Sequence, residues 1–436
     1  MRIPQAALAA ALGLSLALWT CADAGSSVTP VAASQGTAPA PAAVSTPMPM
    51  PTPSTAPAEG VDELREIVGA IASPSMKGRG AGSPELDRAR DIVRARFEGA
   101  GLSPGLGAQW LQPFDGPHGE KLANVVGRTG SGEEWIVIGA HYDGLGVGAP
   151  GTPDAGQAFL GADDNASGVA ALVRIGHALA ARKDLQRTVY LVAFSGEELG
   201  TLGSKWLVEH PPSELSKCVA MLNMDCVGRV EENKLIVFGT GTAEEFESIL
   251  KGVNLGFGFD FAPNSGGPGA SDQTPFFEKG IPVLHFFSGA KPEYHRPGDR
   301  IELLNFDGLA KVADYVGEVA AYVATTQEPL TFRAAGAEHL SAPPGSKPRK
   351  VSLGTIPDFS KESGGILLSG VMPGSPAEVA GLAAGDLITA MDGQSIDNIY
   401  DFQGVLAGHA PGDVVAVTYV RGKEKREAKV TLAERH

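Results

Sequence analysis

Between residues 61 and 327 two hydrophobic patterns alternate along the chain. Short runs that are apolar at almost every position fall at 135–140, 188–195, 218–227, 234–239 and 281–287. Longer stretches with apolar residues every three or four positions cover 166–182 and 305–326. The short runs predict strands buried on both faces, and the longer ones predict amphipathic helices. Strands without polar alternation, spaced by helices, imply an α/β fold with a mixed, mostly parallel sheet sandwiched by helices. In such sheets ligands bind beyond the carboxyl ends of the strands. Past residue 349 the pattern changes to short strands punctuated by turn residues, which predicts a second, small, strand-rich domain.

Composition divides the remainder. Over 25–60 the chain is Ala, Pro, Ser and Thr with almost no charge, a composition that cannot bury a core and reads as an extended tether. A shorter linker of the same kind covers 330–348. Residues 1–24 read as a signal peptide: Arg2 precedes an apolar run from Ala6 to Trp19 that is too short to span a bilayer. Two processing routes are open. Ala22, Asp23 and Ala24 suit a small-residue cleavage site, whereas Leu18 to Cys21 resembles a lipobox that would leave Cys21 lipidated and anchored to a membrane. Either route predicts export to the periplasm, the cell surface or the medium. The expected units are thus 1–24, 25–60, a catalytic domain over 61–329, 330–348, and a terminal domain over 349–436.

Charge narrows the function. With 436 residues and a formal net charge of -15, the chain is poorly suited to nucleic acid, since it lacks the cations to neutralise phosphates. It suits metal cations and substrates that carry an amine. Beyond the leader, Cys218 and Cys226 fall in one predicted strand, where eight residues span about 26 Å, so they are not expected to pair.

Five segments carry chemistry. The strand over 135–140 ends in His141, Tyr142 and Asp143. Gly161, Ala162, Asp163, Asp164 and Asn165 open the following helix. The strand over 188–195 ends in Gly196, Glu197 and Glu198. The strand over 218–227 carries Asn223, Met224 and Asp225. Tyr294, His295, Arg296, Pro297, Gly298 and Asp299 come last. Each alone is weak, but together they bring two imidazoles and several carboxylates to one edge of a sheet, a donor set suited to zinc. Residues two apart on a strand share a face, so Asp143 can orient His141. No Gly-x-Ser-x-Gly elbow is present for a serine hydrolase, and Gly239 to Thr242 lacks the Gly-Lys-Ser/Thr of a phosphate loop. His118, His210 and His285 have no partner at ligand spacing, and His177 lies in a predicted helix far from the motifs and reads as structural.

In this order the segments resemble the M28 family of zinc peptidases, over roughly 61–327. The resemblance implies two zinc ions bridged by Asp163, with His141 and Asp225 completing one site and Glu198 and His295 the other. It also implies Glu197 as general base, Asp143 as support for His141, and a non-proline cis peptide between Asp163 and Asp164. Tyr294 could donate to a tetrahedral oxyanion. Ser271, Asp272 and residues 286–289 occupy positions that shape the substrate pocket in relatives. The implied activity is removal of N-terminal residues from peptides, although Arg296 and Arg300 keep a carboxypeptidase open. Two alternatives stand beside it: a glutaminyl cyclase on the same fold with one zinc, and a surface adaptor with a relic peptidase domain.

The terminal domain resembles the PDZ domains of exported bacterial proteases. Ser375 is a good N-cap, Pro376 fits the first helical turn and Gly381 the left-handed stop. A second helix is predicted over 399–406 and strands over 414–420 and 429–432. The resemblance makes Ser352, Leu353, Gly354 and Thr355 the loop that captures a peptide carboxylate, with the peptide added as a strand.

Overall fold

A computed structural model describes residues 60–150, 154–264, 267–335, 350–358, 364–372 and 374–434. The leader, the tether up to residue 59 and most of the 330–348 linker lie outside the described residues. Among the described residues no helix is long and apolar enough to cross a membrane.

In chain order the larger domain comprises α1 (Val61–Ile71), α2 (Pro84–Gly99), β1 (Ser103–Pro104), β2 (Leu111–Asp115), β3 (Lys121–Thr129), β4 (Trp135–His141), α3 (Gly168–Ala180) and β5 (Thr188–Phe194). It continues with α4 (Leu202–Glu209), β6 (Cys218–Met224), β7 (Lys234–Phe238), α5 (Phe246–Asn254), β8 (Asp260–Asn264), α6 (Thr274–Phe277), β9 (Val283–Phe287) and α7 (Phe306–Thr325). The strands form one sheet in the order β1-β3-β5-β4-β6-β9-β7-β8, with β2 also pairing with β3. The central strands β5, β4, β6 and β9 are mutually parallel. β3 joins β5, and β7 joins β9, antiparallel on the two flanks.

Both faces of the centre are covered, as uninterrupted apolar strands require. From β4, Ile136, Ile138 and Ala140 enter a core built with α1, α2, α3, α5 and α7. Trp135 and Val137 point the other way, into a core with Phe194, Leu207 and Phe276. Elements without a long apolar run were not evident from periodicity. α2 is one: its charged face hides the helix, but Ser83 accepts a capping bond from Leu86 N at 3.1 Å and Pro84 starts the first turn.

The smaller domain contains β10 (Val351–Ser352), β11 (Thr355–Pro357), β12 (Ile366–Val371), α8 (Pro376–Val379), β13 (Leu387–Met391), β14 (Gln394–Ser395), α9 (Ile399–Ala407), β15 (Val414–Arg421), β16 (Glu424–Thr431) and β17 (Ala433–Glu434). Ser375 caps α8, accepting from Glu378 N at 3.2 Å, and Gly381 takes φ 82° as expected. β16 begins five residues before the predicted 429, pairing residue for residue with β15 while its first four side chains stay exposed. Those charged positions erase the alternation from the sequence. Asp386, 0% exposed, accepts two bonds from Arg421, at 2.6 and 2.7 Å.

Candidate functional site

The site is assembled where the four parallel strands end. β4 finishes at His141, β5 runs into Glu197 and Glu198, β6 into Asp225, and β9 into the loop carrying His295. Continuous apolar strands pack the sheet centre, so these polar side chains can only project beyond it. Asp164 arrives from the β4–α3 connection and lies between the two imidazoles. His141 Nε2 is 3.3 Å from Asp164 Oδ1 and 3.4 Å from Asp225 Oδ1. His295 Nε2 is 3.1 Å from Asp164 Oδ2 and 3.5 Å from Glu198 Oε2. Two triads of metal-ligating atoms therefore share one carboxylate, His141–Asp164–Asp225 and Asp164–Glu198–His295.

This corrects the sequence expectation at one position. Asp163, expected to bridge, belongs to neither triad. Its Oδ1 accepts a 2.7 Å bond from Gly228 N and its carbonyl accepts one from Ser167 Oγ. The neighbouring side chain, Asp164, takes the shared place. The cis peptide moves by the same single residue, to Asp164–Asn165. Adjacent acids look equivalent in a sequence. The turn distinguishes them, because Asn165 is pinned to the end of β6 through Met224 O at 2.9 Å and Cys226 N at 3.3 Å. That anchor faces Asp164 toward the histidines and leaves Asp163 facing Gly228.

Supporting residues fix the rest. Asp143, 0% exposed, accepts from the amides of Glu197 and Glu198 at 3.2 and 3.3 Å. It stands 3.7 Å from His141 Nδ1, so its hydrogen bonds go to the Glu197–Glu198 turn rather than to the imidazole it was expected to orient. Asp299, in the Tyr-His motif without an assigned role, accepts from Asp163 N at 2.9 and 3.0 Å and from Asp164 N at 2.9 Å. Ser271 donates to Asp225 Oδ2 at 2.8 Å, and Asn223 donates to Ser271 at 3.1 Å. Only tertiary structure could assign these roles, since each joins segments far apart in sequence. Tyr294 stacks on His295 with ring centroids 3.9 Å apart and is 42% exposed. Arg296 is paired with Asp154 at 3.2 Å, and Arg300 donates to Pro297 O. His285 faces Gln273, consistent with a packing histidine.

The electrostatics suit cation binding. Burial raises the Glu197 and Glu198 carboxyls well above their usual range. Burial alone would raise Asp164 too, yet the imidazoles of His141 and His295, 3.3 and 3.1 Å away, hold it well below the ordinary value. Burial opposes charge on His141, but Asp225 and Asp164 outweigh it and push its pKa up. Both ring nitrogens of His141 are buried without a hydrogen-bond partner. Buried polar atoms are rarely left so. A divalent ion at His141 Nε2 would give that atom a partner and neutralise the carboxylates, so the donor set fits zinc.

Comparison with known proteins agrees with the geometry. The family model for Peptidase family M28 matches residues 124–320, and that for the PDZ domain matches residues 354–432. Aminopeptidase YwaD of Bacillus subtilis is 29% identical over 203 residues, covering 44% of this chain and 42% of that protein. The chain spans about half the length of the curated relatives it matches. Among solved structures, the Legionella pneumophila LapA aminopeptidase aligns with a TM-score of 0.51 at 22% identity, covering 62% of this chain and 72% of that one. The Porphyromonas gingivalis glutaminyl cyclase aligns with a TM-score of 0.52 at 20% identity, covering 60% and 98%. These two structural likenesses speak to the fold alone.

Proposed function

Taking residues 124–320 as a family M28 peptidase region and residues 354–432 as a PDZ domain, we propose that this protein is a two-zinc aminopeptidase. The observation that carries the reading is the pair of triads sharing Asp164. Asp164 would serve both ions, with His141 and Asp225 completing one site and Glu198 and His295 the other. Bound zinc would supply polarisation of the scissile carbonyl and acidification of a water.

The chain's own groups supply the remaining chemistry. Glu197 adjoins a ligand without belonging to either triad, so its carboxylate is free to take the proton of the attacking water. It then passes that proton to the leaving amine. Asp143 clasps the amides of Glu197 and Glu198, which fixes the base relative to the ligands. Tyr294, whose ring stacks on His295, would donate to the oxyanion. Cleavage at the N-terminus follows from an acidic cleft that favours a free amine, with Arg296 already committed to Asp154. β11 is the edge strand of its sheet, which supports peptide addition there, with the carboxylate at Ser352, Leu353, Gly354 and Thr355. The reading carries export with it, through the leader over 1–24.

Metal content per chain, together with hydrolysis of aminoacyl-p-nitroanilides by wild type and Glu197→Ala, tests the proposal. Two zincs per chain, and a loss of about 10²–10⁴-fold in kcat with metal retained, are expected. One zinc, no hydrolysis and turnover of N-terminal glutamine would overturn it in favour of a cyclase. No metal and no turnover would leave the PDZ-bearing adaptor.

A further inference from the structure

Arg79 takes no part in the chemistry above, yet its side chain is 0% exposed. A guanidinium keeps its charge in proteins, and burying one costs several kcal/mol unless it is well compensated. Four of the five guanidinium donors go to neutral main-chain oxygens. Nε donates to Tyr142 O at 2.9 Å, Nη1 to Ile71 O and Leu160 O at 2.7 Å each, and Nη2 to Gly161 O at 3.1 Å. The placement of those acceptors is informative. Tyr142 directly follows His141, and Gly161 precedes Asp164 by three residues. One rigid fork thus ties together the two segments that deliver these side chains.

The backbone is shaped around that fork. Arg79 takes φ 52° and Gly78 φ 73°. Left-handed backbone is unfavourable for a non-glycine residue. A Cβ on Gly78 would lie 2.4 Å from Gly146 O and from Phe159 O, and one on Gly161 would lie 2.1 Å from Asp164 O. Gly144 N and Gly146 N donate to Arg79 O and Gly78 O at 3.2 and 3.0 Å. Missing Cβ atoms let three segments close on the guanidinium. Burial lowers the Arg79 pKa, and Asp143, Asp164, Asp299 and Glu198 act against that effect without cancelling it. Strain at a buried charge beside a functional centre motivates a role there.

We propose that Arg79 is a positioning residue of the metal centre: a permanent buried cation that fixes His141 relative to Asp164 and offsets the repulsion among the carboxylates before metal binds. This rests on the reading of the cluster as a zinc site. The test is chelator-competition titration of zinc into metal-free full-length wild type, Arg79→Lys and Arg79→Met, with circular dichroism and thermal melts with and without zinc. Lysine keeps the charge but loses the planar fork. We expect zinc affinity to fall about 10–100-fold in R79K, and further in R79M, with helix content retained and a smaller melting-temperature gain on adding zinc. Folded variants that bind zinc within about twofold of wild type, even if they melt earlier, would overturn the proposal. If R79M does not fold, R79K decides. Failure of R79K to fold would also overturn the proposal, by assigning Arg79 to the fold itself. Wild type that takes up no zinc would instead sink the metal reading, and this proposal with it.

Discussion

The two adjacent acids Asp163 and Asp164 offer a crossover test of how the site is built. Asp164 lies 3.3 Å from His141 and 3.1 Å from His295 and is common to both triads. Its replacement by Asn leaves two protein ligands in each group instead of three. Zinc sites at which chemistry occurs ordinarily use three. Losing a ligand in both sites at once should exceed the about 10–100-fold penalty of losing a residue that only supports a ligand. Asp163 makes one side-chain bond, from Gly228 N at 2.7 Å, and an Asn oxygen can accept the same bond. The expected change is the difference between a charged and a neutral acceptor, about 1 kcal/mol, or roughly fivefold. Removing the charge also relieves repulsion with Asp299, which acts together with burial to raise the Asp163 carboxyl. Zinc content after dialysis against a weak chelator, and kcat/KM on an aminoacyl-p-nitroanilide, should therefore collapse in D164N and stay within tenfold in D163N. The reverse outcome, metal lost in D163N and kept in D164N, would refute this geometry and restore the bridge to Asp163.

Other outcomes follow from the same contacts. Asp299→Asn should lower zinc affinity about 10–100-fold with the fold intact, because the carboxylate accepting from Asp163 N and Asp164 N is replaced; metal titration checks it. Phe276→Ala, at a side chain 0% exposed between α6 and the sheet, should cost about 3–5 kcal/mol in urea unfolding and leave the ligands in place. In the smaller domain, burial tends to raise the Asp386 carboxyl, but the Arg421 bonds prevail and depress it. Its stabilising contribution is thus complete above the ordinary carboxylate pKa and is lost as pH falls below it. Thermal melts from pH 7 down to pH 3 should show Asp386→Asn less stable than wild type at neutrality, with the difference narrowing in acid.

Much of this protein was legible in its sequence. Uninterrupted apolar runs announced buried parallel strands, since only a sheet covered on both faces can keep polar residues out of them. The motifs at their ends named His141, Glu198, Asp225 and His295, four of the five side chains in the shared triads. Caps at Ser375 and Gly381 fixed α8, because capping is local chemistry. Strands and helices whose buried faces are interrupted by charge, such as β16 and α2, were out of reach of periodicity. Three-dimensional structure alone decided which of two neighbouring aspartates faces the histidines. That choice depends on Asn165 reaching the end of β6 and on Asp299 holding two amides, contacts between residues far apart in the chain. It also decided that Asp143 serves the Glu197–Glu198 turn and that Arg79 sits beneath the site. Local sequence sets which side chains are offered at a strand end. Their direction is set by hydrogen bonds that exist only once the chain has closed on itself.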